Sequence, residues 1–273
     1  SATPIPRTLA LMIYGDLDIS ILDELPPGRQ PIETFVINSK IRERAFGYIK
    51  KHLDEGRQGY IVCPLVSDEN ADDNSNKIAA ENYKEELSNN QFKGYSVGLL
   101  HGKLSPAEKE QIMADFKAHN IDLLVSTTVI EVGVDVPNAV VMLIENADRF
   151  GLSQLHQLRG RVGRGKHQSY CILVTDNVTE DSRKRLRILT KIHDGFKISE
   201  EDLKLRGPGD FFGSRQHGLP PLKIADMSED FQVLKLAQKA AQMITTADPE
   251  LKKPENREIK QLAKMLFENK LID

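Results

Sequence analysis

Apolar residues along this chain follow two alternating patterns. Short, almost wholly apolar runs occur at "TFVIN" (34–38), "GYIVCPLV" (59–66), "YSVGLLH" (95–101), "IDLLVS" (121–126), "AVVMLIE" (139–145) and "SYCILVT" (169–175), and each predicts a strand. Between them the spacing becomes helical. Ile41, Ala45, Ile49 and Leu53 recur every four residues, which predicts a helix over 41–53. Residues 78–88 predict a second, and the acidic "SDENADDNSN" (67–76) before it predicts a solvated loop. Ser105 as cap, Pro106 in the first turn and Glu108 closing a capping box announce a third, with Ile112 and Phe116 on its buried face. Strands apolar on both faces and separated by helices imply an α/β fold with a doubly wound parallel sheet. Ligands of such sheets sit beyond the carboxyl ends of the strands, which directs attention to the segments after His101, Ser126 and Glu145.

After residue 176 the apolar strands stop, and residues 179–193 and 229–245 predict helices. Between them lies "DLKLRGPGDFFGSRQHGLPP" (202–221), rich in Gly and Pro. At the other end "DELPPGRQP" (23–31) has the character of a linker. The organisation read from these shifts is a tail and linker over 1–31, an α/β domain over 32–178, a helical hairpin with a loop over 179–225 and a helical segment over 226–273.

Composition narrows the function classes. The net charge is −3, so a globally basic coat for nucleic acid is excluded and any phosphate binding must be local. The two cysteines, Cys63 and Cys171, lie inside apolar runs and make no disulfide framework. With no export signal and no membrane-length apolar run, the expected location is cytoplasmic.

Against this background "QLHQLRGRVGRGKHQ" (154–168) concentrates arginine and glycine. Drawn as a helix over 152–164, it places Gln157, Arg161 and Arg164 on one narrow stripe, Leu155, Leu158 and Val162 on a buried one, and Arg159 elsewhere. Like charges repel at this spacing, and Gly160 and Gly163 weaken a helix, a local conflict expected at a functional site. Two clustered guanidinium forks suit a phosphate group. A general patch for nucleic-acid backbone explains the charge but not Gln157 on the same stripe. No G-x-x-x-x-G-K-S/T phosphate loop and no acidic metal-binding strand end accompany the arginines, so the clamp must act on a nucleotide held by something else.

At this point the residues resemble superfamily 2 helicases. "QLRGRVGRG" is similar to motif VI, "STTVIEVGVDVPNA" (126–139) to motif V, and "SATPIPRTL" (1–9) to motif III and its continuation. "DELPPGR" (23–29), "IENADRFGLSQLHQLRGRVGRG" (144–165) and "DLKLRGPGDFFGSRQHGLP" (202–220) are similar to the RecG branch of that superfamily, which acts on branched DNA. The resemblance implies two RecA-like lobes with ATP and Mg2+ between them. This chain would be the tail of the first lobe, all of the second and a C-terminal extension, with the phosphate loop, the magnesium carboxylates and a DNA-splitting wedge in a preceding part. On that reading it is inactive alone.

The resemblance also implies residue roles. Arg161 and Arg164 become arginine fingers, and Gln157 becomes the nucleotide-sensing glutamine. Asp135 becomes a ribose contact and Gly133 a close backbone approach, with a plain turn the alternative for Gly133. Branched or duplex DNA would lie across the lobes, meeting Thr127 and Thr128 at one strand end and His101 and Gly102 at another, with a capping or packing role the alternative for His101. Arg206, Arg215 and Gln216 would couple ATP state to movement along duplex, with bracing of the hairpin the alternative. "SRKRLR" (182–187) reads chiefly as a solvated helix face, with DNA contact the second reading. Two rivals stand beside this reading: the translocase that couples transcription to repair, and a non-enzymatic domain that binds phosphate or RNA.

Overall fold

A computed structural model describes residues 29–64, 73–127, 135–177, 179–206 and 231–268. The chain divides into two compact units, whose described parts are residues 29–199 and residues 200–206 with 231–268.

The first unit is built on six strands: β1 (Glu33–Ile37), β2 (Gln58–Val62), β3 (Val97–Leu100), β4 (Leu123–Ser126), β5 (Ala139–Ile144) and β6 (Tyr170–Val174). Every pairing is parallel, in the spatial order β1-β6-β5-β2-β4-β3. Helices α1 (Arg42–Asp54), α2 (Asp73–Asn89), α3 (Pro106–Lys117), α4 (Leu152–Arg159) and α5 (Glu180–Lys191) make the connections and the flank. Alternation within the strands separates two cores. Tyr60, Val62, Leu124, Met142, Ile144, Cys171 and Leu173 pack with Phe116 of α3, the leucines of α4 and those of α5. Ile61, Leu123, Val125, Val141, Leu143, Ile172 and Val174 pack with α1 and with Leu87 of α2. A strand buried on both sides has no polar face to show, which is why its sequence reads as an unbroken apolar run.

The expected capping box of α3 is present. Glu108 N–H donates to Ser105 Oγ at 3.3 Å, and Ser105 N–H donates back to Glu108 Oε2 at 2.8 Å. Two expectations need correction. Residues 73–76 of the acidic stretch belong to α2 rather than to a loop. α5 also ends at Lys191, and a separate helix α6 (Gly195–Arg206) follows, its first amides capped by Asp194 Oδ1, which accepts from Phe196 N–H at 2.7 Å.

In the second unit α7 (Phe231–Ala247) and α8 (Arg257–Glu268) expose Leu236, Met243, Leu262 and Met265. The link between them is a polar knot. The buried Asp248 carboxylate accepts from Lys252 N–H at 2.9 Å, Lys253 N–H at 2.8 Å and Asn256 Nδ2 at 2.9 Å. The Asn256 hydrogen bond, followed by the two backbone bonds, holds this carboxyl down at about 2. A folded-state value below the unfolded one contributes stability that is complete above the ordinary carboxylate range and lost as pH falls toward 2. Thermal unfolding of the chain between pH 2 and 5 is therefore expected to show wild type losing its advantage over Asp248→Asn as the pH drops. Among the described residues no helix is long and apolar enough to cross a membrane.

Candidate functional site

The predicted residues fall into two groups at opposite edges of the parallel sheet. The first group lies at the amino edge. α4 stops at Arg159, with Gly160 as its C-cap, so the helix does not continue to 164 and the stripe drawn on it is incorrect. The physical reason is the glycines. Gly163 takes φ +73° with Ile32 Cγ1 2.8 Å from where a Cβ would stand, and a Cβ on Gly165 would meet the Pro137 carbonyl oxygen. The chain therefore turns sharply and lies flush against the starts of β1 and β5. Arg29 Nε–H donates to the Gly163 carbonyl at 2.9 Å, and Gln168 Nε2 to the Pro31 carbonyl at 2.8 Å.

The turn still brings two of the predicted side chains, Arg164 and Asp135, together. Arg164 Nε–H donates to the Gly160 carbonyl at 3.0 Å, and its Nη1 stands 3.5 Å from Asp135 Oδ1. Asp135 is more than half exposed, so this pair is loose and easily exchanged for a ligand. Burial is the main reason that the Tyr60 phenol is raised above its ordinary range, and Arg164, Arg161 and Asp135 all lie within electrostatic reach of it. Gln157 is half-buried in the last turn of α4, while Leu155, Leu158 and Val162 are buried as expected. Gly133 lies outside the described residues.

Arg159 does point elsewhere, and its role is one the sequence reading missed. It is 3% exposed, with no carboxylate partner among the described residues. Its Nη1 donates to the Leu189 carbonyl at 2.7 Å and the Ile192 carbonyl at 3.1 Å, covering the free C-terminal end of α5. Its Nη2 stands 3.0 Å from His156 Nδ1. Burial, then the Arg159 charge, lowers His156 to about 4, so the ring is neutral near pH 7 and Nδ1 can accept. Arg185 is braced too, donating to the Asp148 carbonyl, while Arg183 and Arg187 are exposed as a solvated face.

The second group lies at the carboxyl edge, about 15 Å away by the rise of a five-residue strand. Thr127 follows β4, its N–H donating to the Leu100 carbonyl at 3.1 Å. Its side chain is buried, and Oγ1 has no hydrogen-bond partner among the described residues. His101 is buried at the end of β3, its carbonyl accepting from Leu104 N–H as the chain turns toward α3. The exposed Gly102 offers a carbonyl already taken by Lys109 Nζ at 2.7 Å. Thr128 lies outside the described residues, as do Arg215 and Gln216; Arg206 ends α6, and its side chain is likewise outside them.

A pocket of about 200 Å³ opens at the same edge, lined among others by Arg42, Cys63, Tyr83, Thr127, Glu145 and Asn146. Burial, then the Glu145 charge, pushes Cys63 up to about 12, so this thiol stays protonated and is no nucleophile. Burial, then Glu145, also raises Tyr83, which keeps its proton and donates to Glu145 Oε1 at 2.8 Å. Two signals for this pocket were available: the carboxyl-end position of the segments after Ser126 and Glu145, and an acid closing the otherwise apolar run 139–145.

Two family models match the chain: "Helicase conserved C-terminal domain" over residues 44–166, and "ATP-dependent DNA helicase RecG, domain 3, C-terminal" over residues 192–272. The curated ATP-dependent DNA helicase RecG of Bacillus subtilis is 50% identical over 256 residues, covering 93% of this chain and 37% of that protein. That of Synechocystis is 52% identical over 260 residues, covering 95% and 31%. The chain belongs to the RecG helicase family. A solved structure of RecG bound to a three-way DNA junction matches with a TM-score of 0.69 at 47% identity, over 86% of this chain and 30% of that one. The RecG-specific model over the C-terminal region sets this family ahead of the transcription–repair translocase. The chain spans about a third of the length of the RecG relatives it matches. Its all-parallel sheet with flanking helices is the RecA-like lobe expected from the motifs.

Proposed function

We propose that this chain is the second motor lobe and C-terminal extension of an ATP-dependent DNA helicase that remodels branched DNA, such as stalled forks and Holliday junctions, in recombination and repair. The observation that carries the reading is the pairing of Arg164 with Asp135 at 3.5 Å on the turn that follows α4 and also carries Arg161, at the sheet edge opposite Thr127. One edge offers forks for a phosphate and a carboxylate for a hydroxyl; the other offers the Thr127 hydroxyl, which has no partner among the described residues. The kinship with RecG proteins, one of them solved on a three-way junction, supplies the substrate class.

In this reading ATP supplies the phosphoryl bond whose cleavage drives the motor. Arg161 and Arg164 hold its terminal phosphate, Gln157 senses it, and Asp135 and Gly133 meet the ribose. Arg164 leaves Asp135 to do so. In this reading the Mg2+ ligands and the phosphate loop belong to the part of such a protein that this chain does not span. Thr127, Thr128, His101 and Gly102 track the DNA backbone, and Arg206, Arg215 and Gln216 couple lobe movement to translocation. The compartment is the cytoplasm.

The test separates the two edges. In the full-length protein Thr127→Val should weaken DNA binding severalfold and leave nucleotide affinity in the absence of DNA unchanged. Equal losses in both affinities would mean that the two edges form one site and would sink the assignment. This chain alone should show no ATP turnover.

A further inference from the structure

Arg42 is assigned no role by the helicase motifs, yet the pocket at the carboxyl edge is built around it. It opens α1, so it stands where the helix dipole favours an anion. Its Nη1 reaches Glu145 Oε1 at 3.4 Å, a long contact, and its side chain is 39% exposed against 9% for Glu145. The acid is the fixed partner and the arginine the movable one. Glu145 is anchored by the Tyr83 hydroxyl at 2.8 Å and by its own N–H, which donates to the Val62 carbonyl at 2.8 Å. Across the same pocket stands Thr127, 3% exposed, with Oγ1 unpartnered among the described residues. A buried hydroxyl without a partner is unfavourable until something supplies one. An anion with several oxygens satisfies both it and a released guanidinium, and the pocket has room for one phosphodiester group.

We propose that Arg42 is a phosphate ligand held in reserve: Glu145 parks its guanidinium at the pocket mouth, and a backbone phosphate of duplex DNA entering beside Thr127 Oγ1 takes it over. The inference rests on the reading of the carboxyl edge as the DNA-facing edge. Glu145 then sets affinity by competition. A duplex phosphate must displace the carboxylate before it gains the fork, so the site favours a correctly seated backbone over a passing one. Tyr83 keeps the carboxylate from following the arginine into the pocket.

The experiment is equilibrium binding of the full-length protein to a duplex with a three-way branch, measured across salt concentrations. Arg42→Ala should weaken binding and reduce the slope of log affinity against log salt by about 0.9, the signature of one lost phosphate contact. Arg42→Lys should keep most of the slope, because the charge remains. Glu145→Gln should tighten binding about two- to fivefold, the range of a partly exposed ion pair no longer broken on binding. The double variant with Arg42→Ala should lose that gain, since the two side chains act through one contact. Melting temperatures of all variants separate these effects from damage to the fold. If Thr127→Val weakens binding while Arg42→Ala leaves affinity and slope unchanged, the inference is overturned and the DNA-facing edge stands. If Thr127→Val also has no effect, the reading of that edge falls, and the inference with it. Weaker binding in Glu145→Gln at an unchanged melting temperature would show that the pair holds the site together rather than competing with DNA, and overturns it as well.

Discussion

Arg161→Ala or Arg164→Ala in the full-length protein is expected to slow ATP hydrolysis by about 10³–10⁵ while nucleotide affinity changes little. The size follows from when the charge appears. A guanidinium fork aimed at a transferring phosphoryl group stabilises charge that develops in the transition state, and contributes less to the ground state. Arg164 has a second reason to show a small binding effect: a nucleotide gains its fork only by displacing Asp135, now 3.5 Å away. Lysine at either position should not restore the rate, because the planar donor pair is lost. Single-turnover hydrolysis and nucleotide affinity measured side by side decide the matter. A collapsed affinity with a normal rate at saturation would make both arginines ground-state binders. Asp135→Asn supplies an internal contrast. It frees Arg164 but removes the proposed ribose contact, so it should change affinity more than the rate of the chemical step.

The second large effect concerns stability. Arg159→Ala should destabilise the first unit by on the order of 2–5 kcal/mol, since the buried Leu189 carbonyl and the partly buried Ile192 carbonyl lose their donor together. For a unit of this size that corresponds to a fall of about 5–15 °C in melting temperature. Arg159→Lys should recover part of the loss, because an ammonium can reach one of the carbonyls but cannot present the fork. Thermal unfolding followed by circular dichroism measures both. A melting temperature equal to wild type would show that water reaches these carbonyls once the side chain is gone. The same variant should unsettle His156, whose Nδ1 loses the guanidinium 3.0 Å away.

Several features were legible because they depend on local chemistry. β2, β4, β5 and β6 were readable as apolar runs because they are buried on both faces, while the edge strands β1 and β3 carry apolar residues that are exposed or only partly buried, and the start of α3 was readable because Ser105 and Glu108 complete their box within four residues. Boundaries moved by one to three residues at most strand ends, where hydrogen bonding to a neighbouring strand decides the last residue. The helix over 152–164 was misread. Helical arithmetic continues through Gly160 and Gly163 unless something removes the helix, and what removes it is distant in sequence: Ile32 packed beside Gly163, and Pro137 against Gly165.

By itself, then, the sequence determined the parallel α/β class, the identity of the arginines and the family to which their motif belongs, since these rest on residue type and short spacing. The doubly wound reading already put Thr127 and Glu145 at the carboxyl edge, and only the tertiary structure decided that Arg164 and Asp135 meet at the amino edge and that Arg42 joins the carboxyl one. Parallel pairing sends Asp135 and Arg164, from segments on either side of β5, to one edge, and Thr127, Glu145 and Arg42 to the other. Arg42 and Glu145 are 103 residues apart, and Arg159 and Ile192 are 33 apart. No local pattern encodes such contacts. They form because burying both faces of a six-stranded sheet fixes where every strand end and helix end must stand, and the polar groups left at those ends find one another there.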